Sequence, residues 1–231
     1  QSCDVYFYEI ALKTGIQKIR EMALRLGLGA LTGIDLPDEK SGIIPSHEWK
    51  LATKGVVWTP GETVVAGIGQ GYVLTTPMQL AVMTARIANG KDAVVPSLLS
   101  TPNGVGRNFA PLDISESALA VIRRGMSAVL YGGAGTANKY KLSKKYGGMA
   151  GKTGTVQVKR ITLAQREKGI TKNIDRPWKE RDHALFVAYA PLKNPRYAIS
   201  VVVEHGGSGS STAAPVARDI LAKTIAERGL T

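Results

Sequence analysis

The sequence has 231 residues, enough for one large domain or two small ones. Hydrophobic residues make up 44% and charged residues 21%, which are ordinary values for a globular protein and exclude a disordered or fibrous chain. No stretch approaches the about 20 apolar residues that cross a bilayer. The sequence opens at Gln1 without a methionine, so we expect a processed protein or a fragment whose anchor or signal would lie upstream.

The net charge of +12 favours anionic partners in general. Aromatic residues make up only 6% of the chain, too few for a base-stacking platform, so we predict no nucleic-acid partner and keep a basic nucleic-acid binder as a distant alternative. The single cysteine, Cys3, excludes a cysteine-rich zinc site, and His47, His183 and His205 lack metal-ligand spacing. The sequence therefore predicts neither a metal nor a cofactor.

The first 30 residues predict two short helices, with Gly15 ending the first and Gly27 the second. Residues 30–62 are rich in glycine and proline and predict loops. A third helix is expected after Thr76, because Thr76, Pro77 and Gln79 form a capping box with proline at the first helical position. Its buried face is predicted to consist of four residues: Leu80, Met83, Thr84 and Ile87.

A fourth helix is predicted from about Ser115 to Leu130, with Asp113 and Glu116 able to cap it. Its apolar stripe is expected to contain Leu119, Ile122, Met126 and Val129.

From about residue 145 the pattern changes to strands. Three are predicted: one containing Thr153, Thr155, Val156 and Val158, one over Ala184–Ala190, and one over Ala198–Val203. The short turn between the last two predicts an antiparallel hairpin. Residues 159–182 predict a polar surface loop or, alternatively, a flap beside a cleft. The segment from His205 to Ser211 predicts a flexible connector or the edge of a cleft.

Ser211 or Thr212 is expected to cap a C-terminal helix that turns Val216, Ile220, Leu221 and Ile225 inward. The order of elements predicts an α/β (α+β) fold, with a mainly helical lobe over residues 1–144 and antiparallel strands plus a C-terminal helix over residues 145–231.

The sharpest motif is Ala-Gly-Lys-Thr-Gly-Thr at residues 150–155. A phosphate-binding loop would need a glycine at position 146, where this chain has Tyr146, and a helix after the lysine, so that interpretation fails. The alternative is the K-T-G motif of serine acyl-transfer enzymes. On a strand, Lys152 would supply a fixed cation, Gly154 would let a substrate backbone lie close, and the hydroxyls of Thr153 and Thr155 would donate to a carboxylate.

A second motif of that enzyme class, S-x-N or S-D-N at the start of a helix, has a counterpart in Ser2-Cys3-Asp4. Ser2 could relay a proton and Asp4 could orient a substrate amide, although the simpler interpretation is that both residues cap the helix. The third motif, S-x-x-K, carries the nucleophile, and no serine of this chain is followed by lysine three residues later. We therefore expect the nucleophile upstream of Gln1.

Together these motifs resemble the transpeptidase domain of class B penicillin-binding proteins, especially elongation-type members. The resemblance also rests on the segments TGIDLPDEKSGIIP, TVVAGIGQGYVLTTPMQLA and HALFVAYAPLKNPRYAISVVVEHGGSGS, so that it extends from residue 1 to about residue 210. Asp4 stands where most of the wider class has asparagine. Elongation-type members resemble this sequence in having aspartate at that position. The implied fold is a helical lobe packed against an antiparallel sheet carrying a C-terminal helix, with the N-terminal part of the fold outside this sequence.

The resemblance implies a D,D-transpeptidase that cross-links peptidoglycan stem peptides by serine acyl transfer and is inhibited by β-lactams. It implies catalytic roles for Ser2, Asp4 and Lys152. It implies substrate binding by Lys152, Thr153, Gly154 and Thr155, with the backbone N–H of Thr155 in an oxyanion hole.

The implied partners are stem peptides, β-lactams and a membrane glycosyltransferase of the elongation machinery, at the periplasmic face of the inner membrane. We expect the fragment alone to be inactive. A β-lactam-hydrolysing or -sensing relative and a non-catalytic penicillin-binding-like module are the alternatives.

Overall fold

The computed structural model describes residues 2–99, 108–159 and 172–229, together with residues 162, 167 and 169. The chain divides after Leu119 into two compact units. The predicted loop 159–182 is described only in part, because residues 160, 161, 163–166, 168, 170 and 171 lie outside the described residues.

The unit of residues 2–119 is built from short helices. They are α1 (Asp4–Thr14), α2 (Ile16–Arg25), α3 (His47–Lys54), α4 (Pro60–Gly67), α5 (Pro77–Asn89) and the first turn of α6 (Glu116–Tyr131). Helix α1 ends at Gly15, whose φ of 78° few other residues adopt easily, so the predicted stop is confirmed. Helix α1 packs on α4 where Gly67 leaves room for Ala11.

Helix α3 lies within the region 30–62 for which the sequence predicts loops, and α4 begins within it. Ser46 caps α3 by accepting a hydrogen bond from the Trp49 N–H, and Gly55 ends it in the left-handed conformation. Helix α4 starts with Pro60 at its first position, and the Glu62 carboxylate accepts a hydrogen bond from the Thr59 N–H (2.7 Å). The glycines and prolines of this region therefore begin and end helices rather than preventing them.

Helix α5 begins as predicted, with Thr76 and Gln79 exchanging capping hydrogen bonds. Gln79 is fully buried, and its side-chain amide also donates to the carbonyls of Ala30 and Ser41, both at 2.7 Å. This one side chain therefore ties the loop that precedes α3 to the start of α5.

The buried faces of α5 and α6 differ in part from the prediction. In α5, Thr84 and Ile87 are buried as expected, but Val82 is buried in place of the half-exposed Leu80 and Met83. In α6, the expected Leu119, Met126 and Val129 are buried and Leu130 joins them, whereas Ile122 is 40% exposed.

The start of α6 also differs in detail from the prediction. Its capping side chain is Ser115, which accepts a hydrogen bond from the Ala118 N–H (3.4 Å). Asp113, predicted to cap it, has a φ of 53° and lies before the helix. Glu116, the other predicted cap, is the first residue of the helix itself.

The unit from Ala120 onward contains a three-stranded antiparallel sheet in the order β1 (Ala150–Val156), β2 (His183–Ala190) and β3 (Tyr197–Val203). The predicted hairpin of β2 and β3 is confirmed. Strand β1 ends at Val156, so the prediction that Val158 belongs to it is wrong; Val158 is 41% exposed.

One face of this sheet is covered by the C-terminal helix, α7 (Ala214–Arg228). The core between them contains Ala184, Phe186, Ala188, Ala214, Ala217, Leu221 and Ile225. Leu221 and Ile225 were predicted to face inward, but Val216 and Ile220 are 41% and 47% exposed. Alanines take their place because small side chains let the helix lie close to the alanine-rich strand β2.

The predicted cap of α7 is also wrong. Ser211 and Thr212 lie within a π-helical turn, Gly209–Ala213, that precedes the helix. The side chain that caps this turn is Ser208, whose Oγ accepts a hydrogen bond from the Ser211 N–H (3.5 Å). The π-helical turn places the connector residues beside β1, where they contribute to the site described next.

Candidate functional site

The K-T-G residues lie on β1, at one edge of the described sheet. Lys152 pairs with Val187 and Gly154 with Leu185, so Lys152 and Gly154 face one side while Thr153 and Thr155 face the other. In the described part of the chain β1 pairs with β2 alone. The motif therefore forms a strand, as predicted, and has an edge to which an extended peptide could add.

The side chains of the motif supply hydrogen-bond donors along this strand. The Lys152 ammonium donates to the Thr153 carbonyl (2.7 Å), and the Thr153 hydroxyl lies 3.1 Å from the Thr136 hydroxyl. Lys152 and Thr153 are half-buried, whereas Thr155 is exposed. A cation and neighbouring hydroxyls suit the binding of a carboxylate.

Two glycines let neighbouring segments lie close to the backbone of this strand. A Cβ on Gly154 would lie 3.2 Å from the Leu185 Cβ. A Cβ on Gly209, in the π-helical turn, would lie 2.3 Å from the Gly154 carbonyl oxygen and 2.4 Å from that of Leu185. The turn before α7 is thus seated directly on the motif strand.

A cavity of about 440 Å³ opens beside Thr155. Two segments distant in sequence form its walls: the end of the 159–182 loop and the connector after β3. Its lining consists of Thr155, Asn173, Ile174, Arg181, Asp182, His205, Gly206, Gly207, Ser208, Ser211 and Thr212. Most of these residues carry side chains that can form hydrogen bonds and so could orient the polar groups of a ligand.

Hydrogen bonds fasten the two walls together. The Gly207 N–H donates to the Asp182 carbonyl (2.8 Å), and the Asp182 N–H donates to the Asn173 side chain (3.1 Å). The His205 N–H donates to the His183 Nδ1 (2.9 Å), which requires that nitrogen to be unprotonated. His183 and His205, far apart in the sequence, therefore join the cavity walls.

The other predicted catalytic residues lie in the unit of residues 2–119. Ser2 precedes α1, and Asp4 is its first residue. The position that would cap the helix is occupied by Cys3, whose side chain makes no capping hydrogen bond. Ser2 is therefore one residue too early to be the helix cap. The catalytic roles that the resemblance implies for Ser2, Asp4 and Lys152 stay a prediction.

Among the residues that the structure describes, no group of three or more His, Cys, Asp or Glu side chains could hold a metal ion. Within the same residues, no helix combines the length and the apolar character needed to cross a membrane.

Residues 1–222 match the family model described as the penicillin binding protein transpeptidase domain. The chain belongs to this transpeptidase family. It is 37% identical over 230 residues to the peptidoglycan D,D-transpeptidase MrdA of Salmonella typhimurium (strain SL1344), an alignment covering 96% of this chain and 36% of that protein. The chain thus spans about a third of the length of this curated relative.

Solved structures of the transpeptidase family share the fold. Pseudomonas aeruginosa PBP2 in complex with WCK 5153 is 38% identical, with a TM-score of 0.79 over 98% of this chain and 48% of that one. PBP2 of Helicobacter pylori, solved as a complex with MreC, is 33% identical, with a TM-score of 0.83 over 99% of this chain and 39% of that one. The predicted family and its fold of helices with an antiparallel sheet are confirmed.

Apart from Thr155, the residues around the cavity are not among the candidate site residues that the sequence predicts. The 159–182 loop and the His205–Ser211 connector carried two interpretations each, and the alternative interpretations, a flap and a cleft edge, agree with the cavity lining. A usable signal was available, because the β2–β3 hairpin necessarily brings the residues before β2 next to those after β3.

Proposed function

We propose that this chain is part of a peptidoglycan D,D-transpeptidase that cross-links stem peptides by serine acyl transfer. The observation that carries the proposal is the Lys152–Thr155 motif on an edge strand, with the Thr155 side chain exposed beside a cavity. Membership of the transpeptidase family and the similarity to MrdA support it.

The reaction requires a nucleophile in addition to these residues. No serine in this chain has the S-x-x-K spacing, so we assign the nucleophile to another part of the full protein. Its serine oxygen attacks the penultimate D-Ala carbonyl, and cleavage of the peptide C–N bond releases the terminal D-Ala. The amine of a second stem peptide then attacks the ester, forming the cross-link and restoring the serine.

Each motif residue has a role in this scheme. Lys152 stabilises the substrate carboxylate and exchanges a proton with Ser2, which passes it to the leaving amine. Asp4 orients the substrate amide. Thr153 and Thr155 bind the terminal carboxylate of a stem peptide or of a β-lactam, and the N–H of Thr155 helps to bind the oxyanion.

The same proposal extends to location and partners. We infer a place at the periplasmic face of the inner membrane, with an anchor elsewhere in the protein, and a membrane glycosyltransferase as a partner. The complex of Helicobacter pylori PBP2 with MreC shows that a relative binds another protein.

Acylation of the full-length protein by a fluorescent penicillin tests the proposal. Wild type should be labelled, and Lys152→Ala should slow labelling by about 10²-fold or more, the contribution of a positioned acid–base group. Lys139→Ala, at an exposed lysine that precedes the motif, serves as the control and should label like wild type.

Two outcomes would contradict the proposal. If the full-length protein is never labelled, the protein does not react by serine acyl transfer. If the Lys152→Ala variant is labelled at the wild-type rate, Lys152 does not have the proposed role. Rapid turnover of the penicillin would instead favour a hydrolysing relative.

A further inference from the structure

The basic residues of this protein are distributed unevenly along the chain. Between Glu116 and Glu167 the sequence contains ten lysines and arginines and not one aspartate or glutamate. Strands β2 and β3 and the turn between them likewise add Lys193 and Arg196 and no acid. The excess of positive charge therefore belongs to the unit that carries the K-T-G strand.

The fold concentrates part of this charge on one surface. The turn between β2 and β3 is attached to the segment before β1 by a hydrogen bond from the Leu192 N–H to the Gly147 carbonyl (3.1 Å). Lys145 and Lys193 flank this bond, and Lys141 lies over the ring of Tyr131. The Tyr131 hydroxyl borders the same turn, because a Cβ on Gly148 would meet both this hydroxyl and the Leu192 side chain. We call the surface the basic ridge and define it by five exposed residues: Lys141, Lys144, Lys145, Lys193 and Arg196.

The cations of the basic ridge have no acidic partners within the described residues. None of the ion pairs found there includes a residue of the basic ridge, and Asp219 on the neighbouring helix α7 is paired with Arg218. Lys141 and Lys145 instead lie over the rings of Tyr131 and Tyr146. Repulsion among such cations has to be balanced by solvent, salt or an anionic partner.

The chemistry of the surface narrows the choice of partner. Within residues 139–147 and 191–196 no large hydrophobic side chain is exposed, so nothing there could insert into a bilayer. Tyr140 and Tyr146 are half-buried, with Tyr146 beneath a lysine, and so do not offer open faces for stacking bases. A flexible polymer with repeated carboxylates fits better than either a membrane or a nucleic acid.

The position of the basic ridge relates it to the candidate site. It lies at the end of the sheet where β1 begins, because Ala150 pairs with Tyr189 near the end of β2. Thr155 is five residues beyond Ala150 along β1, and therefore roughly 17 Å from Ala150 at the rise of an extended strand. A polymer held on the basic ridge would therefore stay within reach of the motif strand.

We propose that the basic ridge binds peptidoglycan itself, through the free carboxylates of stem peptides that are not being cross-linked. This inference rests on the proposed function for the choice of polymer. The contact is electrostatic and multivalent, so it holds the polymer near the site without fixing one peptide in one place.

Co-sedimentation of the full-length protein with insoluble peptidoglycan tests this proposal. The protein is first acylated with penicillin so that the catalytic site is occupied and the remaining binding reports other surfaces. Lys144→Glu/Lys145→Glu/Lys193→Glu should weaken that binding roughly tenfold, as expected for three lost exposed ion pairs of ordinary strength. Raising the salt to about 0.5 M should weaken wild-type binding in the same way.

The matched control reverses three exposed lysines of the other unit, Lys18→Glu/Lys40→Glu/Lys91→Glu, with the same change in net charge. It should keep wild-type binding. If the charge reversal on the basic ridge prevents folding, the neutral Lys144→Gln/Lys145→Gln/Lys193→Gln variant replaces it and should show a smaller loss in the same direction. Peptidoglycan whose carboxylates have been converted to amides should bind wild type as weakly as native peptidoglycan binds the variant.

The outcomes separate this proposal from the proposed function. If both basic-ridge variants are acylated normally by penicillin and bind peptidoglycan as wild type does, the proposal that the basic ridge binds peptidoglycan is wrong and the proposed function is unaffected. No acylation of wild type would overturn the proposed function instead. Vesicles of phosphatidylglycerol or duplex DNA that bind the wild-type protein more tightly than peptidoglycan does, with the same dependence on the basic ridge, would show that the partner was wrongly chosen.

Discussion

Replacing Gly209 with alanine should both destabilise the protein and slow its acylation by penicillin. The added Cβ would lie 2.3 Å from the Gly154 carbonyl oxygen and 2.4 Å from that of Leu185. Both contacts are with backbone, so no side chain can rotate away. Either the π-helical turn or the motif strand must move by roughly 1 Å to restore an ordinary van der Waals separation.

The expected magnitudes follow from that displacement. Overpacking a fully packed position costs about 1–3 kcal/mol in the free energy of unfolding. A shift of about 1 Å in groups that position a substrate can slow the reaction by about 10²-fold. Urea denaturation measures the first effect, and the rate of labelling by a fluorescent penicillin measures the second.

Gly125→Ala provides the comparison, because a Cβ at Gly125 would meet nothing within 4 Å. It changes the same atoms without a clash and should leave the acylation rate unaltered. A Gly209→Ala protein with the wild-type unfolding midpoint and the wild-type acylation rate would refute the argument that the turn is seated on the strand. A Gly209→Ala protein that is less stable but is acylated normally would show that the contact between Gly209 and the Gly154 backbone matters for stability and not for acylation.

Three further predictions concern stability. Gly125→Ala itself should raise the free energy of unfolding by about 0.5–1 kcal/mol, because alanine favours the helix interior; an unchanged urea midpoint would contradict this. Gln79→Leu should lower it by about 2–4 kcal/mol, since the carbonyls of Ala30 and Ser41 lose the donor that the fully buried Gln79 supplies and the capping bond from Thr76 is lost as well. Gln17→Leu on an exposed helical position should change it by less than about 0.5 kcal/mol, and equal effects of the two substitutions in urea denaturation would count against these hydrogen bonds. The hydroxyl and N–H of Thr32, assisted by the Gly33 N–H, hold the pKa of Glu39 below its ordinary value. The charged carboxylate therefore contributes stability above the ordinary glutamate pKa of about 4.3 that is lost as the pH falls through the folded-state pKa. The stability difference between wild type and Glu39→Gln, from urea denaturation at a series of pH values, should shrink over that interval, and a difference that stays constant would contradict the assignment.

Much of the fold could be predicted because several elements carry their own start and stop signals. Helix α5 begins with a capping box and a proline, and α1 ends at a glycine with positive φ. These interactions are local, so the sequence around them determines them. The strands β2 and β3 were predicted within one residue, because long apolar runs joined by a short turn have few alternatives.

The two missed helices show the limit of interpreting glycine and proline as breakers. Thr59-Pro60 followed by Glu62 repeats the pattern Thr76-Pro77 followed by Gln79. In both cases an acceptor side chain at the third helical position bonds back to the N–H of the preceding threonine. Only the second pattern predicts a helix clearly, since α4 is only eight residues long and lacks a clear apolar stripe.

The buried face of α7 could not be predicted from the sizes of its side chains. Hydrophobicity favoured Val216 and Ile220, but the helix approaches the sheet through Ala214 and Ala217. The facing strand supplies Ala184 and Ala188, so the close approach is decided jointly by two elements distant in sequence. The hydrophobic pattern of α7 alone does not show that small side chains on β2 lie opposite it.

The way the motif strand is held limits how a ligand could reach it. Gly209 covers the Gly154 backbone on the side of α7, and the hydrogen bonds to β2 occupy one edge of the strand. Within the unit from Ala120 onward, a peptide could therefore approach along the opposite edge of the strand, which pairs with no other described strand. The same seating makes Gly154 and Gly209 interdependent, because a side chain at 209 would push against the Gly154 backbone. A Cβ on Gly154 itself would meet the Leu185 Cβ at 3.2 Å, so the packing of β1 against β2 also favours glycine in the motif.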